Sequence, residues 1–252
     1  MGAFRPSDAL VAHLRGPGPI FALTGAGVSA ESGLATFRGP GGLWEGRDPT
    51  TLATPEAFAS DPALVWRFYA WRRARAADAL PNAGHLALAA LERARGDVRV
   101  VTQNVDGLHE RAGSREVIRL HGSLWTLRCV ADGTEREDLR KDLGPLPPRC
   151  SCGALLRPGV VWFGESLPDR ELREAFDLAR CARLVLVAGT SSLVHPAATI
   201  PRIARDAGAY VVEINPDETP LSPWVSERLA GPSGAVLPCL AEAAGAAVDG
   251  AR

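Results

Sequence analysis

The sequence predicts an α/β fold in which a parallel, Rossmann-like sheet domain carries a smaller inserted domain. Three observations predict it. Apolar runs at 19–24, Val98–Thr102, Leu184–Ala188 and Tyr210–Ile214 each end in Gly, Asn, Gln or small polar residues, as buried strands do where their carboxyl ends face a ligand. Gly25-Ala26-Gly27-Val28-Ser29-Ala30 follows the first run with G-x-G-x-x-A spacing. Between Cys129 and Cys152 the apolar periodicity disappears, which marks a separate polar module.

The 252 residues, 46% of them hydrophobic, suffice for one sizeable core with a smaller insert. A net charge of −1 with mixed signs gives no electrostatic reason to expect nucleic acid or a membrane surface as partner. Lys141 is the only lysine, so the positive charge is almost wholly arginine. Residues 1–14 read as a short amphipathic helix without the apolar core or cleavage site of a leader, and Pro6 breaks the myristoylation pattern. Five cysteines, odd in number and clustered unlike a secreted framework, fit a reducing compartment, and a cytoplasmic location is expected.

Glycines at 25 and 27 let backbone N–H groups approach a pyrophosphate, and Ala30 is small enough for a following helix to pack on the strand. A tight turn with no ligand is the alternative for this stretch alone. Residues 34–44 hold too many glycines and prolines for a regular helix, so they read as a long functional loop with Phe37 and Arg38 as its bulky aromatic and cationic tips. A hydride-transfer enzyme would run instead through a helix into a second strand ending in Asp or Glu. Here the next strand, Val98–Thr102, lies far downstream and ends in Gln103-Asn104, so the loop reads as a nucleotide clamp for other chemistry.

The run 62–80 carries helical spacing, with Leu64, Val65, Phe68, Trp71 and Arg72 over two faces, and 81–85 ends it before an Ala/Leu helix at 86–95. Gln103, Asn104 and Asp106 then cluster at a strand end, where polar side chains are costly unless they meet a ligand; a capping turn is the alternative. A short strand at 117–122 ends in His121, either a core histidine or a general base with a pKa near neutrality. Cys129, Cys150 and Cys152 suit a structural zinc ribbon, but Asp132 stands at the paired position of the first thiol and the second pair is C-x-C. Three thiolates with Asp132 and a self-packed loop without metal both remain open. A strand at 160–165, a helix around 169–181, and polar turns at Gly189-Thr190-Ser191-Ser192 and Asn215-Pro216-Asp217 complete the chain.

From about Phe21 to Val236 these residues resemble the sirtuins, the NAD-dependent protein lysine deacylases. The stretches that carry the resemblance are GAGVSAESGLATFRG, TQNVDGLH, His121-Gly122, GTSSLVHPA and INP. The resemblance implies one catalytic domain over 1–252, with its large part at about 1–34, 84–121 and 165–252. The small part, a helical insert plus a zinc ribbon, would cover about 35–83 and 122–164. It also implies NAD as a consumed co-substrate and an acylated-lysine protein or peptide as substrate. Gly25, Ala26, Gly27, Ser29, Thr36, Phe37, Arg38 and Trp44 would hold the diphosphate and nicotinamide ribose, and Gln103, Asn104, Val105 and Asp106 the ribose and carboxamide. Gly189, Thr190, Ser191, Asn215, Pro216, Asp217 and Ala235 would take the adenosine half. His121 would be the base that deprotonates the ribose hydroxyls after the acyl oxygen has displaced nicotinamide, so that O-acyl-ADP-ribose and free lysine result. Zinc, structural and away from His121, would be held by Cys129, Cys150 and Cys152.

Within that family the insert resembles the branch that removes succinyl and malonyl groups, with acetyl as a further substrate. Tyr69 and Arg72, three residues apart on one helical face, would pair with a distal carboxylate, and Ala53 would leave room for the longer chain. Val161 and Phe163 would lie along the substrate backbone. Gly159 departs from the His of that branch. ADP-ribosyl transfer is the second reading, needing the same NAD site but no acyl channel. A non-catalytic sensor is the third.

Overall fold

Strands form where the apolar runs are uninterrupted, and the alternation of their side chains builds two cores. Residues 4–36 and 48–248 are described by the structure, a computed structural model. In chain order the strands are β1 (Ile20–Thr24), β2 (Val98–Thr102), β3 (Val117–Arg119), β4 (Gly122–Cys129), β5 (Glu135–Glu137), β6 (Leu156–Val160), β7 (Leu184–Ala188), β8 (Tyr210–Ile214) and β9 (Glu227–Leu229). The helices are α1 (Asp8–Arg15), α2 (Pro55–Ser60), α3 (Pro62–Asp78), α4 (Ala83–Arg95), α5 (Leu108–Arg111), α6 (Asp169–Cys181), α7 (Ile200–Asp206) and α8 (Ser233–Ala243).

The large sheet has the order β3-β2-β1-β7-β8-β9 with parallel pairing throughout. Ile20, Ala22, Val100, Leu186 and Val212 point to one face, where α1, α4 and α8 supply Leu10, Leu88, Leu91 and Leu237. Phe21, Leu23, Val101, Val185 and Val211 point to the other, against Ala175 and Ala179 of α6 and Ile200 and Ala204 of α7. Strands covered on both faces must be apolar at consecutive positions, which is why β1 and β7 are buried at all five residues. The strand order reverses between β1 and β7, and their loops therefore diverge from a crevice.

A second sheet, β5-β4-β6, is antiparallel and packs with α2 and α3 around a third core containing Phe58, Trp66, Tyr69, Leu127, Leu156 and Trp162. This is the inserted module. Trp66 Nε1 donates to the Leu156 carbonyl at 2.7 Å, and Arg73, only 1% exposed, donates to the carbonyls of Leu124, Asp138 and Arg140. Gly159 answers to this sheet, since a Cβ there would stand 2.6 Å from Thr126 Cβ and 2.9 Å from its carbonyl oxygen. The β4–β6 pairing thus requires glycine at that position.

Three elements differ from expectation. The fingerprint loop continues as a 3₁₀ turn, Ala26–Ser32, rather than an α-helix, and closes on Gly33 at φ +80°. The buried face of α3 is Val65, Trp66, Phe68, Tyr69, Arg73 and Ala76, while Leu64 and Trp71 are exposed. The strand expected at 160–165 stops at Val160: beyond it Val161 N–H bonds the His121 carbonyl and Phe163 N–H the Ala53 carbonyl, two different elements in place of one ladder.

The two glycine loops meet backbone to backbone. Gly27 N–H donates to the Gly189 carbonyl at 2.8 Å, and Gly25 N–H to Ala188 at 3.0 Å. Gly189 has φ +59°, and a Cβ on it would sit 2.4 Å from Val28 N and 2.6 Å from Gly27 C. We expect Gly189→Ala to cost about 2 kcal/mol or more, from left-handed strain plus the clash. Thermal denaturation should then show a Tm lower by roughly 4–8 °C for a chain of this size; an unchanged Tm would mean that the loops separate freely.

Candidate functional site

The polar residues expected at the strand ends are brought together at the switch point, and each is tied by a partner that its chemistry selects. Asn104, at the end of β2, donates through Nδ2 to the Gly25 carbonyl at 3.0 Å and to Ser29 Oγ at 3.2 Å. Gln103 Nε2 reaches Thr190 Oγ1 at 3.0 Å, and Asn215 Nδ2 reaches the Thr190 carbonyl at 3.0 Å. Asp106 accepts from Leu108 N–H at 2.9 Å and from the Ser29 hydroxyl at 2.8 Å. Burial raises the pKa of Asp106, and those two bonds oppose the rise.

A cavity of roughly 210 Å³ opens here, lined by Ala26, Ser29, Asn104, Val105 and Asp106 on one side and by Trp71 and Arg72 of α3 on the other. Arg72 stands with its guanidinium carbon 5.6 Å from the Tyr69 ring centroid. Burial lowers the Arg72 pKa while Tyr69 and Asp106 oppose that; burial raises the Tyr69 phenol, which is 2% exposed. Tyr69 OH accepts from Trp162 Nε1 at 3.0 Å.

His121 follows β3 and its Nδ1 lies 3.1 Å from the Gln103 carbonyl. A carbonyl only accepts, so Nδ1 carries the proton and Nε2 keeps a lone pair. Burial lowers the His121 pKa against the opposing pull of that carbonyl, so the ring is neutral near pH 7 and able to accept a proton. His121 and Tyr69 are not among the described residues that line the cavity.

Of the other expected residues, Ser191, Pro216 and Asp217 are exposed at the carboxyl edge of the sheet, while Thr36 and Ala235 are half-buried. Ala235 lies in the first turn of α8, where the neighbouring Gly234 N–H donates to Glu31 at 2.6 Å. Val161 is half-buried and Phe163 is 44% exposed. Phe37, Arg38 and Trp44 lie outside the described residues.

The Sir2 family profile matches residues 25–196, the span that contains all of these loops except the last pair. This chain belongs to the Sir2 family. It is 58% identical over 221 residues to NAD-dependent protein deacylase 2 of Pyrobaculum aerophilum, covering 87% of this chain and 88% of that one. A Sir2 homologue mutant in complex with ADP-ribose superposes with TM-score 0.92 at 48% identity, covering 95% of this chain and 96% of that chain. A Sir2 homologue in complex with NAD does so with TM-score 0.90 at 47% identity, covering 97% and 96%. The protein is thus an NAD-dependent protein deacylase, with NAD as the co-substrate that it consumes. Among the described residues no helix is long and apolar enough to cross a membrane.

The Sir2-family chain also gathers Cys129, Cys150 and Cys152, whose Sγ atoms lie within 4.8 Å of one another. The Cys129–Cys152 separation of 3.6 Å is close to the sulfur–sulfur edge of a tetrahedral zinc site, and hydrogen bonding to Cys152 draws the Cys150 thiol down to about 7, so the trio fits a structural zinc. Asp132 is hydrogen-bonded to Cys129 and to Thr134 N–H but does not join that cluster of ligand atoms.

Sequence reasoning missed the layer beneath the cavity. His85 belongs not to a helix stop but to a capping box: Asn82 caps α4, and His85 Nδ1 accepts from Asn82 N–H at 3.3 Å. The signal was the N-x-x-H spacing ahead of an apolar run. Its Nε2 thereby faces Ser29 Oγ at 3.4 Å, while His109 Nε2 lies 2.9 Å from Thr24 Oγ1 and its Nδ1 is buried without a hydrogen-bond partner. Burial lowers His85 to about 4 and His109 well below its ordinary value. An unfolded His85 titrates near 6.5, so its contribution is fully present above that pH and is lost as pH falls through 6.5 toward 4. At about 1.4 kcal/mol per pH unit the loss reaches about 3 kcal/mol. Denaturant titrations should show a steep acid decline between pH 6.5 and 4 that His85→Gln makes shallower by about one proton. Identical slopes would contradict a buried neutral His85.

Proposed function

We propose that the protein removes acidic acyl groups, succinyl and malonyl, from protein lysines and also acts on acetyl-lysine. The observation that carries this reading is the pairing of the buried Tyr69 phenol with Arg72 at the wall of the cavity that also holds Asn104 and Asp106. A guanidinium beside a phenol in a site of reduced polarity suits a carboxylate through charge-assisted hydrogen bonds, and an acetyl methyl gains nothing from it. Ala53, buried and small, would leave room for the longer acyl chain, and its carbonyl holds Phe163 N–H at 2.9 Å.

NAD supplies the ribose that accepts the acyl group and releases nicotinamide. His121 takes the proton from the ribose hydroxyls at Nε2, its tautomer set by the Gln103 carbonyl. Asn104 and Asp106, held through Ser29, orient the ribose and carboxamide, and the loops at Gly25–Gly27 and Gly189–Ser191 bind the diphosphate and adenosine with Asn215, Pro216, Asp217 and Ala235. Thr36 joins the ribose side. Residues 161–163 present backbone groups to the substrate peptide, which makes selection of the surrounding sequence weak. Five free thiols support a cytoplasmic location.

The test is turnover of matched acetyl-, malonyl- and succinyl-lysine peptides with NAD, read by mass spectrometry for wild type and Arg72→Met. The acidic peptides should be preferred, and Arg72→Met should lower their kcat/KM by about tenfold or more, as loss of a charged hydrogen bond does. Acetyl preference with Arg72 indifferent would make the protein an ordinary deacetylase.

A further inference from the structure

The Trp162 side chain spends its only polar hydrogen on Tyr69. The indole can donate and not accept, so its 3.0 Å bond occupies an acceptor site of the phenolic oxygen and leaves the phenol's own proton for another partner. The indole is held to make that bond. Arg157 lies over its ring, 3.5 Å from the centroid, and Phe58 packs against it at 5.4 Å. Glu165 accepts from the Trp162 backbone N–H at 2.8 Å and from Arg157 at 2.6 and 2.9 Å, while Arg157 also donates to the Val160 carbonyl at 3.0 Å. Glu165 and Arg157 thus close a clamp around one residue in the stretch where β6 has ended and no ladder holds the backbone. A partly buried ion pair of this kind adds little to stability by itself, and its best-attested use is to hold one arrangement against others.

We propose that Trp162, clamped by Arg157 and Glu165, is a positioning residue for acyl selection. Its indole N–H takes the acceptor side of the Tyr69 hydroxyl, so that this hydroxyl donates to the distal carboxylate of an acidic acyl-lysine beside Arg72. The inference rests on the acidic-acyl reading above and adds the residue that aims the phenol. Without the indole donor, Arg72 alone holds the acceptor side of the phenol, and the hydroxyl is free to turn its proton toward an acceptor other than the substrate carboxylate.

Trp162→Phe keeps the ring and removes the donor. The readout is the succinyl-to-acetyl ratio of kcat/KM with matched peptides at saturating NAD, for wild type, Trp162→Phe, Tyr69→Phe and the double variant. The wild type reports first on the underlying reading: no succinyl preference removes that reading and this inference with it. With the preference present, Trp162→Phe is expected to lower the ratio about tenfold, chiefly through KM of the succinyl peptide. The double variant should fall no lower than Tyr69→Phe alone, because Trp162 acts through Tyr69. A preference that survives Trp162→Phe, or two effects that multiply in the double variant, would overturn the inference while leaving the acidic-acyl reading standing. Glu165→Gln, which loosens the clamp without touching either ring, should move the ratio in the same direction by a smaller factor. It replaces Trp162→Phe in the same cycle if that variant does not fold.

Discussion

The site depends on the direct contact of two backbone loops at the point where strand order reverses. Gly27 N–H on the Gly189 carbonyl, with Gly25 against Thr190, brings the loops after β1 and β7 closer than side chains would allow. Amide side chains then span the gap from the flanking strands, Asn104 to Gly25, Gln103 and Asn215 to Thr190. The floor of the crevice is therefore made largely of main-chain groups, held in place by side chains that would otherwise be read as ligand contacts alone.

Beneath this floor, neutral groups carry the polarity. Thr24 donates to Thr102 at 2.8 Å, Asn104 N–H adds a second bond to Thr102 at 3.0 Å, and His85 and His109 lie with ring centroids 4.8 Å apart. Two protonated imidazoles could not be buried so close, and burial keeps both neutral. Asp106 joins the two halves of the site: its carboxylate holds Ser29 on the glycine-loop side and attracts Arg72 on the helical side. A change on either wall of the cavity is thereby felt through one buried carboxylate.

The large sheet was legible because a strand covered on both faces is apolar at every position, as β1 and β7 are, and because its loops carry glycine where backbone must touch backbone. The expected polar residues at 103, 104, 106 and 215 stood out for the same reason, since each is a polar group at the mouth of an apolar run. What stayed hidden depends on contacts distant in sequence. Arg73 looks like any helical arginine until three carbonyls from the 124–140 region surround it. The end of β6 at Val160 is set by Glu165 and by the partners His121 and Ala53, none of which a local apolar pattern reveals. His85 was obscured by its own cap, where Pro81 and Asn82 signal a break but also begin the next helix.

His121, proposed above as the base, has one nitrogen committed to the Gln103 carbonyl and the other left to accept a proton. The most direct measurement is O-acyl-ADP-ribose formation by His121→Ala, followed by mass spectrometry alongside calorimetric NAD binding. NAD affinity should change little while product formation falls by about 10²-fold or more, the usual contribution of a positioned base. Undiminished product formation with intact NAD binding would contradict the role given to His121.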